Sequence, residues 1–328
     1  MFRKTGLLLM LSLIICCGLL FAEKSLERIA NEIGVEGETL YNAGSYVEAA
    51  AKFEEAIAKL KEAVQTDGIP MDKDKINQWW LYAFNGYFQG GDYENAIKAL
   101  DARLELNPGS WDLINYKAII LKSKLNRIPE AIEVLKAYNA NKRSFKVEKK
   151  IAGYYVDMDD KEKALEWYEK AYELKNDSKV IKNIATLYVQ LGNNAEAVKA
   201  YEDFLQTNPR ESVLIQTYKN MGSLYEDMQQ YNKSNTYFEK ALEMKYDSAI
   251  NLLLISNYYD IDKYDKALEK IDQRLRNSPG DADAIYFRAM IKYNRGNKVG
   301  AKSDFEKLFG SKYDKQAKGF VESIESEL

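Results

Sequence analysis

The chain has 328 residues, 46% apolar and 30% charged, with a formal net charge of −3, which is a folded composition and not a disordered one. It has no histidine and two cysteines, so imidazole triads and histidine-based zinc sites are excluded, and the near balance of charge does not suggest nucleic acid as a partner. Five prolines against abundant Ala, Leu, Glu and Lys favour helix throughout.

The first element is expected to lie outside the fold. In residues 1–22, Arg3 and Lys4 precede an uncharged apolar run from Gly6 to Ala22, the layout of a secretory signal peptide. Cleavage after Ala22 removes Cys16 and Cys17, and with them disulfides and thiol nucleophiles in the mature chain. Lipidation at Cys17, or retention of the run as an uncleaved anchor, are the alternatives.

From about residue 30 the sequence repeats. GGDYENAIKALDARLELNPGS (90–110) returns in outline as LGNNAEAVKAYEDFLQTNPRES (191–212). Aligning the rest gives a column of small residues: Ala49, Ala96, Ala131, Ala164, Ala197, Ser234, Ala267 and Ala301. Four residues after each comes a large one: Phe53, Leu100, Leu135, Tyr168, Tyr201, Phe238, Ile271 and Phe305. A spacing of four keeps the two on one helix face. Twelve residues before the small column stand Gly37, Phe84, Ile119 (with Ala118 the better match), Ala152, Ala185, Gly222, Ile255 and Ala289. Between the two columns, Gly44, Gly91, Asn126, Asp159, Gly192, Gln229, Asp262 and Gly296 suit a helix exit. Pro108, Pro209 and Pro279 follow the second helix of their units, where proline stops a helix.

Each unit is therefore predicted to be two antiparallel helices that must stack on neighbours to bury an apolar face. The units run at about 30–63, 77–110, 111–144, 145–177, 178–211, 215–247, 248–281 and 282–315. VQTDGIPMDKDKI (64–76) is expected as a loop after a lengthened helix, and a candidate hinge. Residues 316–328, with Ala317, Phe320, Ile324 and Leu328 on one face, suit a capping helix. Tyr87, Tyr155, Tyr188, Tyr225 and Tyr258 recur at the eleventh place of the first helix and are assigned to the core.

With about 34 residues per unit and these columns, the chain resembles the tetratricopeptide repeat family over about residues 30–315. The resemblance implies an all-α, right-handed superhelical solenoid of about eight helix-turn-helix repeats with a C-terminal capping helix. Only Trp80 offers a tryptophan in the early helix position, and the third unit needs a one-residue loop insertion.

For chemistry, the abundant carboxylates read as solvated faces or intrahelical pairs such as Glu166 with Lys170. No nucleophile turn, phosphate loop or calcium-loop spacing appears. No catalytic residue, metal or cofactor is assigned. In the family, the second, fifth, sixth, ninth, twelfth and thirteenth residues of each first helix commonly face a concave groove. Carried over, these places give a lane of Lys149, Lys182 and Lys219 at the fifth, Lys146 and Lys179 at the second, and Lys150, Asn183 and Asn220 at the sixth. Aromatic groups fall at the same places toward the ends: Tyr82 and Phe88, then Tyr259, Tyr286, Phe287 and Tyr293. Core packing of these rings and ordinary solvation of the lysines are the competing readings. The expected function is a non-catalytic scaffold in the cell envelope or bacterial periplasm, binding a protein or peptide with an acidic segment or C-terminal carboxylate. A small-molecule binding or delivery component associated with a transporter is the alternative. Membrane contact is expected only through a lipidated or uncleaved N-terminus.

Overall fold

The turn column sets the hairpins. In the computed structural model, which describes residues 25–327, all eight of its residues have positive φ, from 55° at Asn126 to 84° at Gly44. Four of them are not glycine (Asn126, Asp159, Gln229 and Asp262), although the left-handed region costs such residues roughly 1–2 kcal/mol. The return is a bond from the next amide to a carbonyl five residues back, which satisfies an orphan of the helix end. Asn193 N donates to Tyr188 O at 2.9 Å, and Lys263 N donates to Tyr258 O at 2.8 Å.

Two bodies result, dividing between Arg143 and Ser144. The chain divides there and not at the loop predicted over 64–76. The described N-terminal body has three hairpins: α1 (Leu26–Asn42) with α2 (Tyr46–Thr66), α3 (Lys73–Gln89) with α4 (Tyr93–Leu106), and α5 (Trp111–Ser123) with α6 (Ile128–Asn141). The C-terminal body has five: α7 (Phe145–Asp157) with α8 (Lys161–Leu174), α9 (Ser178–Gln190) with α10 (Asn194–Gln206), α11 (Glu211–Asp227) with α12 (Tyr231–Met244), α13 (Ser248–Asp260) with α14 (Tyr264–Asn277), and α15 (Ala282–Asn294) with α16 (Lys298–Glu306). A last helix, α17 (Asp314–Glu327), packs on α16. Residues 1–22, with the expected cleavage point and Cys17, lie outside the described residues, as does Leu328.

The core follows the columns. Every small-column residue is fully buried, and every large residue four places on is buried too, each such side chain contributing about 1.5–3 kcal/mol. In the third repeat Ala118 is buried and Ile119 is 38% exposed, so Ala118 holds the column and the loop absorbs the extra residue. Gly86 makes a close approach to a neighbouring helix's backbone: a Cβ there would stand 2.5 Å from Tyr46 O on α2. The insertion is a shorter loop than expected. Helix α2 continues through Thr66, and Asp72 caps α3 by accepting from Lys75 N at 2.9 Å.

Tyr87, Tyr155, Tyr225 and Tyr258 are buried, while Tyr188 is half-buried. A glutamate on the second helix of the preceding repeat meets Tyr87 (Glu54), Tyr188 (Glu169), Tyr225 (Glu202) and Tyr258 (Glu239). At the C-terminal end, Phe320 stacks on Phe305 with centroids 4.7 Å apart, and Ala317 and Ile324 are fully buried. Beneath this cap Asp304 receives Arg288 through two bonds of 2.8 Å, Lys292 at 2.7 Å and Lys307 at 2.8 Å.

Candidate functional site

Within the N-terminal body the first helices α1, α3 and α5 build two clefts that meet at Asn85. The smaller, about 350 Å³, is lined by Glu38, Tyr41, Asn42, Phe53, Tyr82 and Asn85. The larger, about 560 Å³, takes its walls from α3, α4 and α5, including Phe84, Phe88, Arg103 and Tyr116. Tyr82 and Phe88, the two aromatic residues expected here, fall one in each cleft. Tyr82 packs 5.2 Å from Phe53 and accepts a bond from Gln78 Nε2 at 2.8 Å. Phe88 sits 5.8 Å from Phe84 and 5.7 Å from Tyr93, with the Lys124 ammonium 5.8 Å from its centroid. Tyr116 is 54% exposed and lies 6.3 Å from Phe84. Burial lowers the pKa of the Arg103 guanidinium, whose Nε donates to Asn77 Oδ1 at 3.0 Å.

Sequence reading passed over Asn85, Tyr116 and Arg103 among the residues lining these clefts. Counted from the repeat starts at residues 77 and 111, Asn85 is at the ninth place and Tyr116 at the sixth, so the groove places already pointed to both. Arg103 belongs to a second helix, which those places never include, and nothing in its local sequence marks it.

The lysine lane lies in the C-terminal body, and two of its three fifth-place members are engaged. Lys149 Nζ stands 3.5 Å from Asp177, and Lys219 Nζ stands 2.5 Å from Asp247. Each aspartate is the N-cap of the first helix of the next repeat. Burial works against the charge of Asp177, but bonds from Val180 N–H and the nearby Lys149 hold its pKa below the carboxylate norm. The Lys219 bond, followed by the Ile250 amide, does the same for Asp247. Lys182 is exposed, because the corresponding cap is Arg210. Lys146 and Lys179 are exposed as well. Lys150 Nζ lies 5.6 Å from the Tyr154 ring. Both sixth-place amides turn to tyrosines of the preceding second helix: Asn183 bonds Tyr168, and Asn220 Nδ2 donates to the Tyr201 hydroxyl at 2.9 Å.

The rings of the last repeats pack on one another. Tyr259 lies 5.4 Å from Phe287 and accepts from Asn294 Nδ2 at 3.1 Å. Tyr286 stacks on Tyr313 at 4.2 Å, and Tyr293 meets Phe320 edge-on at 5.4 Å. Among the described residues, no helix is long and apolar enough to cross a membrane, and no cluster of three or more potential metal ligands occurs.

The sequence pattern of the tetratricopeptide repeat family matches residues 150–178, 183–211 and 215–248, in the fourth to sixth repeats. No curated protein sequence matches the chain. Among solved structures, that of Naa15/Naa10 bound to HypK-THB is similar with a TM-score of 0.59 at 15% identity, covering 76% of this chain and 39% of that one. YrrB, described as a TPR protein with an unusual peptide-binding site, gives a TM-score of 0.44 at 21% identity over 56% of this chain and 93% of its own. A tetratricopeptide repeat protein from Parabacteroides merdae gives 0.40 at 19% identity over 76% and 98%. The first of these likenesses supports the fold alone, and the helix pairs, the burial of both columns and the family match agree with it. Residues 150–248 thus carry tetratricopeptide repeats, and the helix pairs before and after them share the fold of those repeats.

Proposed function

We propose that the chain is a non-catalytic scaffold that binds a protein or peptide partner on the first-helix faces of its repeats. The carrying observation is the pair of clefts joined at Asn85, where aromatic rings and side-chain amides lie together along α1 and α3, with Tyr116 facing them from α5. Rings supply apolar anchoring at little entropic cost, and amides can bond an extended peptide backbone. Both clefts open to solvent, as a chain-like ligand requires. In the C-terminal body, Lys146, Lys179 and Lys182 form a second surface on α7 and α9, suited to an acidic segment of the partner. Export to the cell envelope is part of the same proposal; it rests on the layout of residues 1–22. The non-catalytic reading rests on a sequence without histidine whose two cysteines both lie in that segment.

Selection from a random peptide library tests the reading. Peptides chosen by the wild-type chain should bind an Asn85→Trp variant at least about tenfold more weakly, since the indole fills the junction of the clefts. Equal binding by a folded Asn85→Trp chain would reject it.

A further inference from the structure

The larger cleft of the N-terminal body contains a cation without an acid partner. In the same body the half-buried Lys75 donates to Asn31 Oδ1 at 3.2 Å, but others meet acids: Lys117 reaches Asp101 at 2.5 Å and Lys52 reaches Glu36 at 3.1 Å. Arg103 does not. Its one side-chain bond is from Nε to Asn77, and among the described residues no carboxylate stands within ion-pair distance of it. A guanidinium has five donors in a planar fork, so most of its bonding capacity is unspent. Keeping such a group half out of water without an anion is unfavourable, and a ligand carboxylate would offset the cost.

We infer that Arg103 is the recognition point for a peptide carboxylate lying beside an apolar side chain in this cleft. The inference rests on the first-helix-face reading and specifies its ligand. Three features of the cleft select the chemistry. A planar carboxylate matches the guanidinium fork with two parallel bonds. Phe84, Phe88 and Tyr116 provide an apolar wall for the neighbouring side chain. Asp112, exposed on the same rim, repels a second negative charge, which disfavours phosphate and other multivalent anions and leaves a singly charged group as the fit. The volume of about 560 Å³ accommodates one or two residues. The carboxylate can be a chain terminus or an Asp or Glu side chain, both having the same chemistry.

Three probes separate these sources: acetyl-Leu-Phe with a free terminus, its C-terminal amide, and acetyl-Glu-Phe amide. Each is titrated into the full chain while the Arg103 Nε–H resonance is followed by NMR. Both acids, or one of them, should shift that resonance and bind at least about tenfold more tightly than acetyl-Leu-Phe amide. A response to the free terminus alone assigns a chain end, and an equal response to acetyl-Glu-Phe amide assigns a side chain. Arg103→Gln should abolish the preference for acid, and Arg103→Lys should restore part of it, which separates lost charge from lost packing. The inference is overturned if no probe shifts the resonance at millimolar concentration, if the neutral amide binds as tightly as the acids, or if Arg103→Gln keeps the preference. Failure here with Asn85→Trp still blocking selected peptides removes only the acid site. Undiminished peptide binding by Asn85→Trp removes the cleft reading itself.

Discussion

Tyr258 donates its phenolic proton to the Glu239 carboxylate at 2.7 Å, joining α13 to the second helix of the preceding repeat. The relationship is periodic: Tyr188 reaches Glu169 at 2.5 Å and Tyr225 reaches Glu202 at 3.4 Å in the same body, and Tyr87 pairs with Glu54 in the other. In every case the glutamate lies five residues after the small column of its repeat. A repeat seam made only of apolar contacts could slide. A directional bond recurring at these four seams fixes their register.

Replacing Tyr258 with Phe keeps the ring and removes the donor. The chain should lose about 1.5–3 kcal/mol, the range for a hydrogen bond to a charged group, toward the lower end because Glu239 retains Lys270 3.6 Å away. Tyr188→Phe should cost less, because that side chain is half-exposed. Denaturant midpoints measure both, and unchanged midpoints would show that the ladder adds nothing to stability.

The same bonds make stability sensitive to alkali. A hydrogen bond to Glu169, then burial, pushes the Tyr188 pKa up to about 12, while burial, then Glu202, does so for Tyr225. Tyr258 and Tyr87 are raised in the same direction, chiefly by burial. A tyrosine pKa higher in the folded than in the unfolded chain stabilises fully below the unfolded value of about 10, and the contribution fades as pH rises through the folded value. Melting temperature should therefore fall above about pH 10. The fall should be shallower in a Tyr188→Phe, Tyr225→Phe, Tyr258→Phe chain, and parallel curves would refute the linkage.

Asp304 should be the costliest single charge to remove. Burial opposes its ionisation, but bonds from Arg288, Lys292 and Lys307 hold its pKa well below the usual carboxylate range. Asp304→Ala leaves three cations facing one another without an acid and should destabilise the C-terminal end by about 3–5 kcal/mol, as for other broken buried pairs. The sign of the pH dependence is opposite to that of the tyrosines. This stabilisation is present above the unfolded carboxylate pKa of about 3.9 and is lost as pH falls toward the folded value. Melting curves of wild type and Asp304→Ala should accordingly differ widely at neutral pH and converge in acid.

Gly86→Ala tests the close approach of α3 to the α2 backbone. The new methyl would lie 2.5 Å from Tyr46 O and 3.0 Å from the Ala50 methyl. Relief requires α2 and α3 to separate, at about 1–3 kcal/mol. Gly109→Ala, where an added methyl meets nothing within 4 Å, is the control. Proteolysis or thermal melting should rank the two clearly.

Architecture was legible because packing imposes it locally. An alanine and a large residue four places apart must share a face, and a left-handed residue must follow each first helix, so both columns stand in the sequence. Only the edges moved. Asp67, Gly68 and Pro70 mark a turn but do not say where α2 frays, and α2 runs on to Thr66. Side-chain partners across repeats were not legible. Asp177 and Asp247 each lie 28 residues beyond their lysines and read as helix caps, which they also are. At the same separation from Lys182 stands Arg210. That difference leaves Lys182 exposed and can be read only once the repeats are stacked. Arg103 was invisible for a related reason: its environment is made by two other helices.

Site-directed photo-crosslinking tests the central claim most directly. A photoreactive residue at Tyr116 on a first helix, and separately at Val299 on a second helix, would be challenged with a library-selected peptide. The account predicts an adduct from position 116 and none from position 299, although Val299 is the more exposed at 70%. An adduct from position 299 with none from position 116 would place recognition off the first-helix face and contradict it.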